Sequence, residues 1–366
     1  MDVSMIDKKF SGQAMSLELS MGSAGSPEGQ TAALSETELL DDESSEDILD
    51  PAWRSATPPL RPVTRDRNFC HIPYVEDKPC LYIRANWCDN RRRLFNSNAL
   101  KRLFEKLDAG LTDVSSALAR EIPNAEIHLK LVLEAFTNDC SRYLIIVKNF
   151  IELGSGQNKL DKERFKLCER EIGNISTAAR NVRFQISEEN ADDKLIEARS
   201  FLPRIRKLVH EPQHSLPDAF LWLMAGTRRI AYQRFPVEDL IYSGNDLERG
   251  RLCRDIQSFF LKIPGGRGQD LNVTQAQVTT YLWLGLDKYK SGYLHGMTKG
   301  YLSTDEIRES DQPGGLPPSF ITYQEKHTYE LRCHIYLARD LIGLDESGLS
   351  DPFARVIFEG HSASTQ

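Results

Sequence analysis

The sequence has no long apolar run, no excess of basic residues and no even set of cysteines. Among its 366 residues no stretch of about 18 apolar side chains occurs, which predicts no membrane-spanning helix. The first residues, MDVSMIDKKF, lack the apolar core of a secretory signal. Asp and Glu number 53 against 46 Lys and Arg, a net charge of −7, which argues against a general nucleic-acid binder. The seven scattered cysteines predict free thiols in a reducing, cytosolic setting.

Motifs that would indicate catalysis are also missing. The sequence contains no nucleophile elbow and no HExxH helix, and residues 265–268 lack the Lys-Ser/Thr pair of a phosphate-binding loop. Cys70, His71, Cys80 and Cys88 do not have the spacing of a zinc finger or ribbon. The sequence therefore predicts a protein that is not an enzyme.

The N-terminal part combines strand signals with a polar segment. Apolar and polar residues alternate within residues 10–22, and aromatic and β-branched residues recur in 70–88, with a strand predicted from Pro79 to Cys88. We interpret these two segments as strands of one β domain. Residues 23–69 between them are rich in Ser, Pro, Gly and acidic side chains, which bury too little apolar surface to offset the ordering entropy. They predict a disordered loop.

The period changes to that of helices over residues 89–211. Apolar residues recur there at steps of three and four in four successive stripes, as in Leu100, Phe104, Leu107 and Leu111. Four amphipathic helices with short connections predict an up-down-up-down bundle, with a kink at Pro203 in the last helix.

Strand signals return after the helices, in residues 215–305 and again in 318–366. The predicted fold class is thus α+β and multidomain. A four-helix bundle is inserted in or flanked by an antiparallel β-sandwich, and the start of a further β-sandwich follows. Whether the strand near Leu17 pairs with the strands after residue 215 stays open at the level of sequence.

Asp345 and Asp351 are the candidate metal ligands. They lie six residues apart around Gly348, in a segment between two predicted strands, and two such carboxylates can converge on a hard divalent cation. Calcium takes about six to eight oxygen ligands, so a further loop would have to complete the site. The alternative is that both carboxylates only hydrogen-bond to the loop backbone.

Several long motifs resemble the ferlins, a family of multi-C2, tail-anchored membrane-fusion proteins. YLARDLIGL followed by D-x-x-G-x-S-D-P-F-A-R-V is similar to the start of a C2 domain with its first calcium loop. YVEDKPCLYIRANWCDNRRRLFNSN resembles the start of the family's helical FerA domain, and RRIAYQRFPVEDLIYS with SFFLKIP and YLWLGL resembles its FerB segment. The direct passage from FerB to C2, without a DysF module, is similar to otoferlin-like rather than dysferlin-like members.

The resemblance implies a partial chain of a protein that acts in calcium-regulated vesicle trafficking and membrane fusion. It implies anionic phospholipid membranes as the partner of the FerA-like bundle, calcium as the cofactor of complete C2 loops with Asp345 and Asp351 as first-loop ligands, and fusion-machinery proteins as further partners. It also implies the cytoplasmic face of membranes as the location. The alternative function is a structural or protein-interaction spacer between C2 domains.

The predicted bundle has one strongly basic end. In an up-down-up-down arrangement, the start of the first and third helices and the end of the second and fourth lie together. Lysines and arginines at a helix surface are often merely solvated, but near a membrane each attracts anionic headgroups. The candidate lipid-binding residues, called here the basic end, are Arg91, Arg92, Arg93, Lys148, Lys159, Lys162, Arg204, Arg206 and Lys207.

Overall fold

A computed structural model shows an α+β protein with one helical region and a curled antiparallel sheet, which confirms the predicted fold class. The finer prediction of a four-helix bundle in a C2-like sandwich stays a prediction. The structure describes residues 2–4, 6–10, 12–21, 54–64, 69–74, 77–153, 156–213, 216–264, 274–293, 301–303, 320–323, 328, 330–339, 353–358 and 361–365.

The helices of the described residues fall between Arg91 and Leu240. They are α1 (Arg91–Ala119), α2 (Ala125–Leu153), α3 (Lys159–Gln185), α4 (Ala191–Arg199), α5 (Phe201–Val209) and the short α6 (Val237–Leu240). The strands are β1 (Asp2–Ser4), β2 (Ile6–Asp7), β3 (Met15–Met21), β4 (Arg54–Ala56), β5 (Val63–Thr64), β6 (Phe69–His71), β7 (Asp77–Pro79), β8 (Ala219–Ala225), β9 (Arg228–Phe235), β10 (Ile256–Lys262), β11 (Thr274–Tyr281), β12 (Tyr301–Ser303), β13 (Phe320–Tyr323), β14 (Arg355–Phe358) and β15 (His361–Ser364).

The main sheet pairs a strand before the helices with a strand after them. Its order is β1-β11-β10-β9-β8-β3-β4, and β3 runs antiparallel to β8 with Leu17 opposite Leu223. The question left open by the sequence is thereby answered. Helices α1 to α5 are inserted in the chain between two strands that are hydrogen-bonded neighbours in one sheet.

Strand β8 is buried on both faces. Leu221 and Leu223 pack with Leu17 in the main β core, while Trp222 lies on the other face with Phe220 and Met224. The indole Nε1–H of Trp222 donates to Ser20 Oγ at 3.2 Å. A strand covered on both faces reads as a continuous apolar run, which is what the sequence AFLWLMA shows.

The helices bury the apolar stripes seen in the sequence. One core cluster joins residues from α1 to α5, including Leu107, Phe136 and Phe165. The last helical run breaks at Ser200, three residues before Pro203, so Pro203 lies in the first turn of α5. Proline has no N–H to donate to the carbonyl four residues earlier. The kink predicted at Pro203 therefore takes the form of a break between α4 and α5.

The structure corrects three local predictions, one of disorder and two of strands. Residues 54–64 were assigned to the disordered loop, yet Arg54–Ala56 form β4 beside β3, and the Thr57 hydroxyl accepts from the Leu17 N–H at 2.9 Å. Tertiary contacts order this segment against its composition. Of the predicted strand Pro79–Cys88, only Pro79 lies in a strand, at the end of β7. Leu81, Ile83 and Trp87 pack on the β core but form no strand ladder of backbone hydrogen bonds. The described residues 330–339, predicted as a strand of the C2 start, form no strand.

Candidate functional site

The structure brings the basic end together at the end of the helical region where α3 begins. Arg93 in the first turn of α1 contacts Asp161 in the first turn of α3. The Gln157 side chain donates to the carbonyl of Phe150 in the last turn of α2. Arg164 of α3 donates to the carbonyls of Leu208 and His210 at the end of α5, at 2.7 and 2.6 Å. Four chain segments therefore meet here.

Arg93 is a structural residue of this end and not a surface cation. Its guanidinium forms a two-point contact with Asp161, Nε to Oδ1 at 2.7 Å and Nη2 to Oδ2 at 3.1 Å, and Arg93 is only 9% exposed. Its inclusion among the lipid-binding residues is therefore corrected. An arginine that is buried and paired with a carboxylate is shielded from a lipid headgroup.

Asp161 serves two partners besides Arg93. With Asn158 it forms a capping box at the start of α3: the Asp161 N–H donates to Asn158 Oδ1 at 2.8 Å, and the Asn158 N–H donates back to Asp161 Oδ2 at 3.0 Å. Gln213 also donates to Asp161 Oδ1 at 2.8 Å. Burial by itself raises the pKa of Asp161, but the hydrogen bonds from Arg93 and the Asn158 backbone outweigh it, so the pKa lies below the ordinary carboxyl value.

Other cations of the basic end have partners at the surface. Arg91 forms a two-point contact with Asp89, both distances being 2.7 Å, and that hydrogen-bonding lowers the pKa of Asp89. Arg204 lies 3.2 Å from Glu171 of α3. Arg206 stacks over the Phe104 ring with 4.8 Å to its centroid. Arg92 is half-buried, and its charge contributes to lowering the pKa of Asp89.

Four lysines of the basic end remain exposed and form no ion pair with any residue in the described ranges. They lie on three helices, and their charges are the ones available to an external anion. This set, called here the free lysines, is Lys148, Lys159, Lys162 and Lys207. Sequence reasoning found these lysines but missed Asp161, whose signal was the N-x-x-D spacing of Asn158 and Asp161 before an apolar stripe.

Helix α1 also fixes the helical region to the β region. Asn98 Nδ2 donates to the backbone carbonyls of Glu238 and Glu248 at 2.8 and 2.9 Å. Lys101 Nζ lies 3.1 Å from Oδ1 of Asp239, a buried carboxylate whose Oδ2 also contacts Arg251 at 3.0 Å. The side of α1 near the basic end is thus covered, whereas the free lysines are not.

Replacing Asn98 with Ala is expected to lower the free energy of unfolding by about 1–3 kcal/mol, because two carbonyls lose their side-chain donor in a poorly hydrated contact. Urea unfolding of the whole chain, followed by fluorescence, measures this change. The matched control is Asn181→Ala on the exposed face of α3, for which we expect a change within about 0.5 kcal/mol. Equal stability of the two variants would contradict a bridging role for Asn98.

Asp345 and Asp351 lie outside the described residues, so calcium ligation by them stays a prediction from the sequence. Within the ranges that the structure describes, no group of three or more His, Cys, Asp or Glu side chains is arranged to hold a metal ion. None of the helices in those ranges is both long enough and apolar enough to cross a membrane.

Comparison with known proteins identifies the family. Residues 212–285 match the family model of the FerB (NUC096) domain. The chain is 29% identical to human myoferlin over 236 residues, which is 63% of the chain and 11% of myoferlin. It is 32% identical to Fer-1-like protein 4 of Mus musculus over 380 aligned residues, which covers 100% of the chain and 18% of that relative. The chain is a member of the ferlin family.

This confirms the resemblance found in the sequence. The ferlin chain spans less than a fifth of the length of these relatives, so whole-protein activities can only be proposed for it. The FerB match begins three residues before the predicted segment 215–305 and ends 20 residues before its end. It includes β8, β9, β10 and β11, so this ferlin segment supplies four strands of the main sheet. The FerA-like and otoferlin-like assignments stay predictions.

Proposed function

We propose that this ferlin chain binds anionic phospholipid membranes through its basic end, at the cytoplasmic face. The observation that supports the proposal most is the group of free lysines, Lys148, Lys159, Lys162 and Lys207, which stay exposed after the neighbouring arginines have taken intramolecular partners. A cation without a carboxylate beside it contributes its full charge to the surface. Near an anionic membrane each such charge contributes about 1 kcal/mol.

The proposal is tested by removing three of these charges. The variant Lys159→Gln, Lys162→Gln, Lys207→Gln keeps polar side chains only slightly shorter than lysine but lowers the positive charge by three. We expect its affinity for phosphatidylserine vesicles to fall about 10- to 100-fold, since up to three contributions of about 1 kcal/mol each are lost. Co-sedimentation of the whole chain with phosphatidylserine and with phosphatidylcholine vesicles measures the effect.

A matched control removes three charges from the other end of the helices. Arg120, Lys130 and Arg180 lie after α1, near the start of α2 and near the end of α3, and none of them forms an ion pair with a described residue. Their replacement by Gln changes the net charge equally and is expected to leave binding within about twofold. If both variants bind equally, the interaction reflects overall charge and the basic end is not the site.

A spacer function is the second candidate. It is favoured by the fixed contact of α1 with the β region through Asn98 and Lys101, which would hold neighbouring domains at a constant distance. In that case the wild-type chain stays in the supernatant with every vesicle composition. Pelleting that depends on phosphatidylserine supports the membrane function instead.

For the complete ferlin we propose a role in calcium-regulated vesicle trafficking and membrane fusion. This rests on family membership and on the spacing of Asp345 and Asp351, which supply two of the several oxygen ligands that calcium requires. Calcium and fusion-machinery proteins are accordingly proposed as cofactor and partners of the longer protein.

A further inference from the structure

Two leucines on α3 are exposed where a soluble helix usually carries polar side chains. Leu160 is 65% exposed and Leu167 is 36% exposed. They belong to one stripe with Arg164 and Glu171, because positions i, i+4, i+7 and i+11 lie on the same side of a helix. The stripe is therefore a line of alternating apolar and charged side chains.

The charged members of the stripe show where it lies. Arg164 donates to the carbonyls of Leu208 and His210, and Glu171 contacts Arg204 at 3.2 Å. All three of these partner residues lie on or just after α5, so the stripe runs along the junction of α3 and α5. Lys207 lies within the turn of α5 between those two contacts and is exposed.

Two free lysines border the leucines. Lys159 precedes Leu160 in the first turn of α3 and Lys207 lies across the junction on α5, whereas Lys162 lies about 200° around α3 from Leu160 and faces away. The exposed Glu163 next to this stripe is paired with Lys166 at 3.6 Å. Exposed apolar side chains flanked by unpaired cations match an anionic bilayer, whose charged headgroups overlie an apolar interior. An acidic protein surface would match the lysines but offers no comparable apolar layer directly beneath its charges. We name this set, Leu160, Leu167, Lys159 and Lys207, the α3–α5 surface.

We propose that Leu160 and Leu167 insert below the headgroups of an anionic bilayer while the bordering lysines contact the phosphates. This rests on the proposed membrane function and specifies how the chain is oriented. Seven residues along a helix separate the leucines by about 10 Å. Both can enter the bilayer to the same depth only if α3 lies along the membrane plane. Helix α3 therefore lies along the membrane, and the basic end contacts the bilayer with its α3–α5 side.

Insertion is tested with the variant Leu160→Ser, Leu167→Ser in the whole chain. Neither leucine belongs to the core cluster of the helices, so the substitutions are expected to change the thermal unfolding midpoint only slightly. Burial of each leucine in lipid changes the affinity about tenfold, so we expect the double variant to bind phosphatidylserine vesicles at least tenfold more weakly. Co-sedimentation measures this.

The matched control is Leu131→Ser. Leu131 is 58% exposed on α2 and lies outside the α3–α5 surface, so its loss is expected to leave binding unchanged. A salt titration adds a second readout. At about 0.5 M NaCl the lysine contribution is screened, so residual wild-type binding depends on the leucines and is absent in the double variant.

The outcomes separate this inference from the function on which it rests. If the wild-type chain does not pellet with phosphatidylserine vesicles, the membrane function itself fails. If the wild type pellets and the double leucine variant pellets equally at both salt concentrations, the lysines bind lipid without insertion and the side-on orientation is overturned. If Leu131→Ser also weakens binding tenfold, the insertion of Leu160 and Leu167 is overturned as well, because the loss would then follow from removing any exposed leucine.

Discussion

Replacing Asp161 with Asn is expected to lower the free energy of unfolding by about 3–5 kcal/mol, as for other broken buried ion pairs. The substitution keeps the shape of the side chain and removes its charge. Arg93 is then left buried with its guanidinium facing an amide in place of a carboxylate. Because Asp161 also accepts from Gln213 and caps α3, the loss affects three segments at once. Urea unfolding of the whole chain measures it.

A closely matched control is the ion pair of Arg91, two residues before Arg93 in the sequence. Arg91 and Asp89 form the same two-point contact, but Asp89 has 57% of its side chain exposed. We expect Asp89→Asn to change stability by less than about 1 kcal/mol, because water replaces the lost contact. Equal effects of the two substitutions would show that burial does not determine the strength of the Arg93–Asp161 pair.

The Arg93–Asp161 pair also predicts a dependence of stability on pH. The folded-state pKa of Asp161 is lowered, so its contribution is fully present above the unfolded value of about 3.9 and is lost as the pH falls through the folded-state pKa. The stability gap between the wild type and Asp161→Asn is therefore expected to be constant near neutral pH and to shrink in acid below about pH 4.

Replacing Gly250 with Ala is expected to cost about 3 kcal/mol or more. A Cβ at this position would lie 2.3 Å from the carbonyl oxygen of Asp239 and 2.6 Å from that of Glu238. Overpacking typically costs about 1–3 kcal/mol, and backbone atoms yield less readily than the side chains on which that range rests. Because Glu238 also accepts from Asn98, any shift of α6 disturbs the contact with α1.

Gly244 is the control for this substitution. It lies in the same connection between α6 and β10, and a Cβ there would meet no atom within 4 Å. Gly244→Ala is expected to stay within about 0.5 kcal/mol of the wild type by urea unfolding. If Gly250→Ala is equally mild, the segment after α6 is more adaptable than the close packing indicates.

The elements whose identity depends on local pattern could be predicted from the sequence. The spacing of Leu100, Leu107 and Leu111 gives α1, and the apolar run around Trp222 gives β8, because helical and extended periods are local properties. The pairing of Leu17 with Leu223 could not be predicted, since several strands shared the required alternation and the partners are far apart in the chain.

The candidate site could likewise be predicted from the sequence only in part. The clustering of lysines and arginines at one end followed from the helix order. Which of them are available did not, because Arg93 and Lys159 both lie in the first turn of a helix and only the folded structure shows that Arg93 meets a carboxylate. The exposure of Leu160 and Leu167 was hidden for the same reason, since an apolar residue in an amphipathic helix is expected to be buried.

The pairing of β3 with β8 has a consequence for biosynthesis. Leu17 leaves the ribosome about 200 residues before Leu223, a delay of about 10–40 s at usual rates of elongation. During that time β3 has only the shorter β4 as a partner strand and lacks the strand that pairs along its whole length, whereas α1 to α5 can already fold by local contacts. Strand β3 of the nascent chain is thus a place where chaperones are expected to bind, until β8 has been synthesised and pairs with it.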